Sequence, residues 1–362
     1  MKKLKLTKLL AATLVISSFL ALNPIAASAE WKQNNKGWWY TEGNSWSIGW
    51  RVIDGSLYYF GSDGYMMNNA DKVFFDKEDG LNSDGQFTNV TINGNWAFCK
   101  QTGKIVAYLG SESSINIPDK IDNITVTGIG SFAFESHKIT SVTIPNTVTT
   151  IGVGAFDGCN YLTNITIPNS VKSILSHAFA DCRSLTNITI PSSVTKMGDG
   201  IFLRCINLTN VTLENGITFL GNDTFDCCVK LTNITLPNTL TSIGESTFAG
   251  CMSLKNIVIP TGVTTIGSEA FYYCTNLTSL TLPDGVTNIG IGAFKHCTRL
   301  TSITIPNSVQ NIETHMNGPF NKVIVTNLFE GCINVKIYVK SEATKQLLVN
   351  SGVSASQIIV AS

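Results

Sequence analysis

Ten cysteines and four histidines are the side chains of this 362-residue chain with the greatest chemical potential. Thiols could pair as disulfides, or join histidines in holding a metal. Their spacing argues against both. Cys159, Cys182, Cys205, Cys228, Cys251, Cys274 and Cys297 stand 23 residues apart, with no CxxC pair among them. Cys227 and Cys228 are vicinal, and only Cys228 keeps the step. His137, His177, His296 and His315 form neither HExxH nor a spaced Cys/His set. No Gly-rich phosphate loop and no GxSxG is present. No catalytic residue, metal ligand or cofactor is therefore assigned, and the chain is read as a non-enzyme.

What positions the cysteines is a repeat. Phe156, Phe179, Phe202, Phe225, Phe248, Phe271 and Phe294 keep the same 23-residue step, as do Leu162 and its six successors to Leu300. Pro145, Pro168, Pro191, Pro237, Pro260, Pro283 and Pro306 follow it, with Glu214 standing in once. A fixed period of this size means stacked coils and not one globular core. One repeat position then becomes one row. Adjacent coils lie about 4.8 Å apart, within disulfide reach, but in-register side chains point the same way, so the row is expected to be buried free thiols.

One coil, Leu162 to Ser184, shows the pattern. Ile165 and Ile167 alternate with Asn164 and Thr166, the period of a strand with one buried face. Pro168 ends it, because proline cannot donate to a ladder. Val171 and Ile174 suggest a second short strand. His177-Ala178-Phe179-Ala180-Asp181 has helical or 3₁₀ spacing that swings Phe179 inward. The consensus LTxITIPxxVxxIGxxAFxxC resembles the BspA-type leucine-rich repeats of bacterial surface proteins over about residues 96–360. That resemblance implies a mainly β solenoid of parallel strands plus short helical turns, and an adhesin-like role. His177 and His296 fall on the outer turn, where solvated side chains are expected. The Asn-x-Thr triplets are read as repeat consensus.

All six tryptophans precede residue 97, which marks a separate module. Within Trp31–Met67 a 19-residue period aligns Trp31 with Trp50, Trp39 with Tyr58, Tyr40 with Tyr59 and Trp46 with Tyr65. Turns at Glu42-Gly43-Asn44 and Ser62-Asp63-Gly64 give a hairpin signal. A decayed third unit is suggested at Phe74–Gly80. The stretches GWWYTEGNSW and GWRVIDGSLYYFGSDGYM resemble the cell-wall-binding repeats of choline-binding and glucan-binding proteins. That resemblance implies a choline cage or sugar platform built from Trp31, Trp38, Trp46, Trp50 and Tyr59, since ring faces hold quaternary ammonium groups. Leu57 stands where the family has a tryptophan. The alternative is that these rings staple a module with little other core.

The solenoid's outward strand positions carry no charge. They include Asn164, Thr166, Asn187, Thr189, Asn210, Thr212, Asn233 and Thr235, a neutral polar sheet that is either a partner-binding face or simply good strand sequence. Between Ile312 and Ile324 the coil carries 12 extra residues, read as a loop insertion (313–324).

Four lysines, the apolar run Leu9–Leu22 and Ala27-Ser28-Ala29 read as a secretory signal, with the mature chain starting at Glu30. Removing it leaves 21 Lys+Arg against 25 Asp+Glu, so nothing electrostatic points to nucleic acid. The expected organisation is signal 1–29, aromatic repeats 30–68, linker or degenerate repeat 69–86, N-terminal cap and irregular coil 87–138, leucine-rich repeats 139–334 and C-terminal cap 335–362. The leading expectation is a secreted, wall-associated monomer of Gram-positive type. Its hairpins hold wall choline or polysaccharide, and its solenoid meets an extracellular protein or glycan. The second is a non-catalytic accessory for wall enzymes.

Overall fold

The computed structural model describes residues 29–43, 45–68, 81–317, 323–325 and 327–361. The expected signal, apart from Ala29, and the Phe74–Gly80 fragment lie outside them.

The aromatic module is a run of hairpins. Strands β1 (Glu30–Gln33), β2 (Trp38–Glu42) and β3 (Ser45–Trp46) form one antiparallel sheet, and β4 (Gly49–Ile53) and β5 (Ser56–Phe60) form another. The 19-residue period is visible as geometry. Trp31 faces Tyr40 across β1–β2 and Trp50 faces Tyr59 across β4–β5, with ring centroids 5.1 and 5.0 Å apart at 62° and 65°. A further turn closes at Leu81–Phe87, where Gly85 N–H donates to Asn82 O and Phe87 N–H donates to Leu57 O. Its Ser83-Asp84-Gly85 repeats the Ser62-Asp63-Gly64 of the preceding turn.

Beyond the module most coils carry two short parallel strands. The first series runs through Ser141–Thr143, Asn164–Thr166, Asn187–Ile190, Asn210–Leu213 and Asn233–Thr235, and resumes at Ser279–Thr281. The second runs through Thr150–Ile151, Ser173–Ile174, Lys196–Met197, Phe219–Leu220 and onward to Asn311–Ile312. Paired residues differ by one coil, as in Asn187 with Asn210 and Ile151 with Ile174. The alternation of buried and exposed positions along Asn187–Ile190 is the period of two that the sequence shows.

The third side of the coil departs from the sequence expectation. The segment His177–Asp181 contains no helical residues. It is a run of turns with His177 and Asp181 at φ 58° and 51°. Backbone donors there alternate between two partners. His177, Phe179 and Asp181 N–H donate to Asp199, Ile201 and Leu203 of the next coil, at 2.8, 2.9 and 2.8 Å. Ala178, Ala180 and Cys182 N–H donate three residues back within their own coil. A helix would turn all six donors inward along its axis. The alternation instead makes this side a third inter-coil ladder, at the cost of about 1–2 kcal/mol for each left-handed non-glycine residue. Both left-handed positions recur at the coil step, as Gly154, His177, Gly200, Asp223, Ser246, Glu269, Gly292 and as Gly158, Asp181, Arg204, Cys227, Gly250, Tyr273, His296. Bulky side chains tend to precede glycines along these rows. His177 lies over Gly200, Phe132 over Gly154 and His296 over Gly331, each where a Cβ would collide with the ring.

The interior is made of rows. Phe134, Phe156, Phe179, Phe202, Phe225, Phe248, Phe271, Phe294 and Phe329 stack with centroids 5.0–5.7 Å apart and planes within 19°. None of the ten cysteines is in a disulfide, and all but the half-buried Cys227 are buried. Each row thiol sits against the carbonyl of the previous coil's phenylalanine, as Cys182 Sγ does on Phe156 O at 3.2 Å. Burial pushes the Cys182, Cys228 and Cys251 thiols well above their ordinary range.

Both ends are capped. At the N-terminal end Val90–Asn93, Trp96–Cys99 and Lys104–Tyr108 form an antiparallel sheet whose last strand pairs in parallel with Gly128–Ile129. Tyr108 continues the phenylalanine row, 5.4 Å from Phe134. At the C-terminal end α1 (Glu342–Asn350) is N-capped by Ser341, which accepts from Thr344 N–H at 3.2 Å. Strand Ile358–Val360 then pairs with Lys336–Val339. Within the insertion His315–Asn317 and Val323–Val325 form an antiparallel pair.

The module is seated on the N-terminal cap by two rings. Trp50 and Tyr59, 7% and 4% exposed, share an apolar cluster with Phe87, Ala97, Cys99, Val106 and Ala107. Trp50 Nε1–H donates to Phe132 O at 2.8 Å, Tyr59 stacks on Phe132 at 5.4 Å, and the Tyr59 hydroxyl donates to Glu135. Burial raises both the Tyr59 hydroxyl and the Glu135 carboxyl. Nearby Asp157 is pushed from 3.8 to about 6, first by burial and then by repulsion from Asp181.

Three outcomes follow. Phe225→Ala, which opens a hole in the stacked row, is expected to cost about 3–5 kcal/mol in chemical denaturation; a change near zero would show the row is not core. A thiol reagent is expected to find at most Cys227 in the native protein and all ten thiols after denaturation. Asp157 binds its proton more tightly folded than unfolded, so stability declines as pH rises from about 4 to about 6. Asp157→Asn should therefore melt higher than the parent at pH 7 and match it below pH 4, with a shallower slope between, since Glu135 contributes in the same direction.

Candidate functional site

The five rings singled out in the module fall into three places. Trp31 is half-buried in a nest of Trp38, Tyr40, Tyr58 and Phe60, with centroids 6.4, 5.1, 5.0 and 5.8 Å away. Trp38 forms one edge of that nest. Trp46 is 60% exposed and lies across the backbone of Gly64. Trp50 and Tyr59 are the two rings seated against the solenoid cap. Trp31 and Trp38 meet; Trp46 stands open by itself, and Trp50 and Tyr59 face away from solvent.

Two half-buried aromatic residues outside that set pack together beside it. Trp39 packs edge-on to Tyr65 at 5.8 Å, and Asn34 Nδ2 donates to the Tyr65 hydroxyl at 2.8 Å. The Lys36 ammonium lies 6.0 Å over the Tyr65 ring, so a ring face here already receives a cation. Their signal was the 19-residue alignment itself, which pairs Trp46 with Tyr65. Glu42 ties the hairpins together, accepting from Ser47 Oγ and Arg51 Nε, both at 2.8 Å.

Between β4 and the solenoid cap lies a cleft of about 650 Å³, bounded by Ile48–Val52 on one side and Tyr108–Glu112 and Glu135–Lys138 on the other. Its walls are more than fifty residues apart in the chain, so no local pattern points to it. Glu112 accepts from the Tyr108 hydroxyl and from Asn95 Nδ2, the latter at 2.9 Å, and His137 Nδ1 lies 3.1 Å from Glu135 O. Burial holds His137 below the ordinary histidine range. Among the described residues no group of three or more His, Cys, Asp or Glu side chains could hold a metal ion.

The strand face brings the other predicted residues together. Asn164, Thr166, Asn187, Thr189, Asn210 and Thr212 line one groove of about 490 Å³, with Asn169, Pro191 and Glu214 at its rim. Asn233 and Thr235 lie one coil beyond. Asn233 Nδ2 donates to Asn210 Oδ1 at 2.9 Å, and Asn210 Nδ2 to Asn187 Oδ1 at 2.7 Å. This amide ladder ends at Asn187, whose own Nδ2 donates to Thr186 Oγ1. Asn164 lies outside it. The threonines in the next row project outward, and the only charge in the groove is Glu214, which accepts from Ser192 N–H at 2.9 Å. The face presents rows of amides and hydroxyls in fixed register, suited to hydrogen bonding and not to proton transfer or nucleophilic attack.

A comparison with curated proteins finds no match. Among solved structures the chain is similar to a leucine-rich cell surface protein from Faecalibacterium prausnitzii, with 28% identity, a TM-score of 0.49, and coverage of 82% of this chain and 86% of the other. It is also similar to a leucine-rich repeat protein of T. pallidum (24% identity, TM-score 0.34, coverage 73% and 93%) and to the pneumococcal vaccine antigen PcpA (17%, 0.42, 87% and 100%). The model of the BspA-type leucine-rich repeat region matches residues 127–251 and 218–322, together more than half of the chain. Those residues are the coils whose rows were described above, and the chain belongs to the BspA-type leucine-rich repeat family.

Proposed function

We propose that this chain is a secreted, surface-associated binding protein. Its hairpin module attaches to wall choline or polysaccharide, and its solenoid presents the strand face to an extracellular protein or glycan, in an adhesin-like role. The observation that carries this reading is the strand face itself. Its rows of Asn and Thr are solvent-exposed, uncharged and held rigid by the coils beneath. A scaffold of buried Phe, Cys and Leu rows that supports an open polar surface is the economy of a binding module.

For the module the support is the open Trp46 ring, the half-open Trp31–Trp38 nest and the cation already seated over Tyr65. Trp50 and Tyr59 enter this proposal as the rings that orient the module on the solenoid. Their packing makes module and cap continuous, so attachment through the hairpins would display the strand face in a defined direction.

Cell fractionation followed by a choline wash tests the attachment. Release of the protein from the wall fraction by choline, and loss of wall retention in Trp46→Ala with unchanged melting, are the expected results. Retention that ignores both choline and Trp46→Ala would remove choline and the exposed ring from the reading.

A further inference from the structure

We propose that the seat of the hairpin module on the N-terminal cap is a proton-linked latch, closed while the Glu135 and Asp157 carboxyls are neutral and loosened when both carry charge. The proposal concerns how the module is held, and it stands whatever the module or the strand face binds.

The contact is small. From β5, Tyr59 stacks on Phe132 at 5.4 Å and its hydroxyl donates to Glu135; from β4, Trp50 Nε1–H donates to Phe132 O at 2.8 Å. The Phe132 ring lies over Gly154 in the next coil, three residues before Asp157. Ser136 N–H donates to Asp157 O at 2.7 Å, so the two turns touch.

Glu135 and Asp157 are equivalents. Each follows a phenylalanine of the stacked row, Phe134 and Phe156, in adjacent coils. The same column continues as Ala180, Leu203, Asp226, Ala249, Tyr272, Lys295 and Glu330. Its other adjacent pair of charges, Lys295 and Glu330, is opposite in sign and joined at 3.0 Å. Only beneath the module does the column set two acids side by side.

No cation answers them. Among the described residues neither carboxyl is in an ion pair. Arg204 and Arg183 both bond Asp181, at 2.9 and 3.0 Å, and Arg51 on β4 bonds Glu42 at 2.8 Å. His177 and Arg204 favour the Asp157 charge, against burial and repulsion from Asp181. His137, beside Glu135, is held by burial below the ordinary histidine range. Lys138 and Glu112 line the same cleft and are exposed. The Tyr59 hydroxyl is left to support the Glu135 charge, and one hydrogen bond offsets only part of the loss of water. Solvent reaches Glu135 through the cleft.

The direction follows. Burial raises the Glu135 carboxyl and takes Asp157 from 3.8 to about 6, and the Asp157 charge raises Glu135 further. Lifting the module returns water to these groups, so the seated state holds more protons than the lifted one. Seating is therefore strongest below about pH 4 and weakens as pH rises through about 6.

Hydrogen exchange of the full chain, read by mass spectrometry at about pH 4.5 and about pH 7.5 and corrected for the intrinsic rate, tests this. Opening of β4, β5 and residues 131–136 is expected to increase about tenfold or more between the two, beyond any change in the reference strand Asn210–Leu213. Glu135→Gln with Asp157→Asn keeps size and hydrogen bonding, and should stay closed at both pH values. Each single substitution should remove part of the dependence, so the test does not hang on one variant. Tyr59→Phe keeps the ring and removes the donor that a charged Glu135 uses; it should open the seat more at the higher pH than at the lower. Three results would each overturn the latch: opening in the parent that ignores pH, pH dependence kept in full by the double variant, or a change matched in Asn210–Leu213.

Discussion

Backbone hydrogen bonding between neighbouring coils, repeated at one fixed sequence step, is the constraint on which the rest of this structure depends. At most steps a coil gives donors to the next along three sides: two short parallel ladders and the run of turns around the phenylalanine. Once that register is set, every repeat position becomes a column. Phenylalanines must then stack face to face, thiols must sit beside carbonyls, and threonines must line up on the outside. The side chains do not choose the register individually; they fill columns that the backbone has already defined, and burial on both sides makes each column cooperative with its neighbours.

The same constraint separates stability from recognition. Interior columns hold the chemically distinctive residues, the cysteines and aromatics, in places no ligand reaches. The outward columns hold ordinary amides and hydroxyls, yet these alone combine exposure with fixed spacing. The module at the N-terminal end inverts the pattern in part. Its aromatic rings are split between a packed set, which joins it to the cap through Phe132 and Glu135, and a more open set of exposed Trp46 and half-buried Trp39 and Tyr65. One residue type is packed in the first set and open in the second, and only the surroundings distinguish them.

That distinction marks how far the sequence could be read. The coil, its phenylalanine and cysteine columns and the alternation of the strand face were legible, because a fixed step repeated many times leaves little freedom. The groove residues were legible as a row, though the end of the amide ladder beside Asn164 was not, since nothing local to Asn164 differs from its equivalents. His177–Asp181 read as helical because a phenylalanine between alanines has the same apolar spacing in a turn as in a helix. What decides the matter is where the backbone donors go, and that depends on the neighbouring coil. Trp50 and Tyr59 could not be told from Trp31 and Trp46, as their partners lie over seventy residues away in the chain. The third hairpin turn, by contrast, had a visible signal in its Ser-Asp-Gly.

The left-handed turn columns carry a consequence of their own. In several steps a bulky side chain rests where the following coil has glycine: Phe132 over Gly154, His177 over Gly200, His296 over Gly331. Coils that look interchangeable by consensus are therefore matched to their successors like consecutive links of unequal shape. Unequal recombination between repeats, the usual way such arrays lengthen or shorten, would break some of these ring-over-glycine pairings at the new junction. An array built this way has a preferred order, and changes in its length are expected to be tolerated at some junctions and rejected at others, although every unit shares the same consensus.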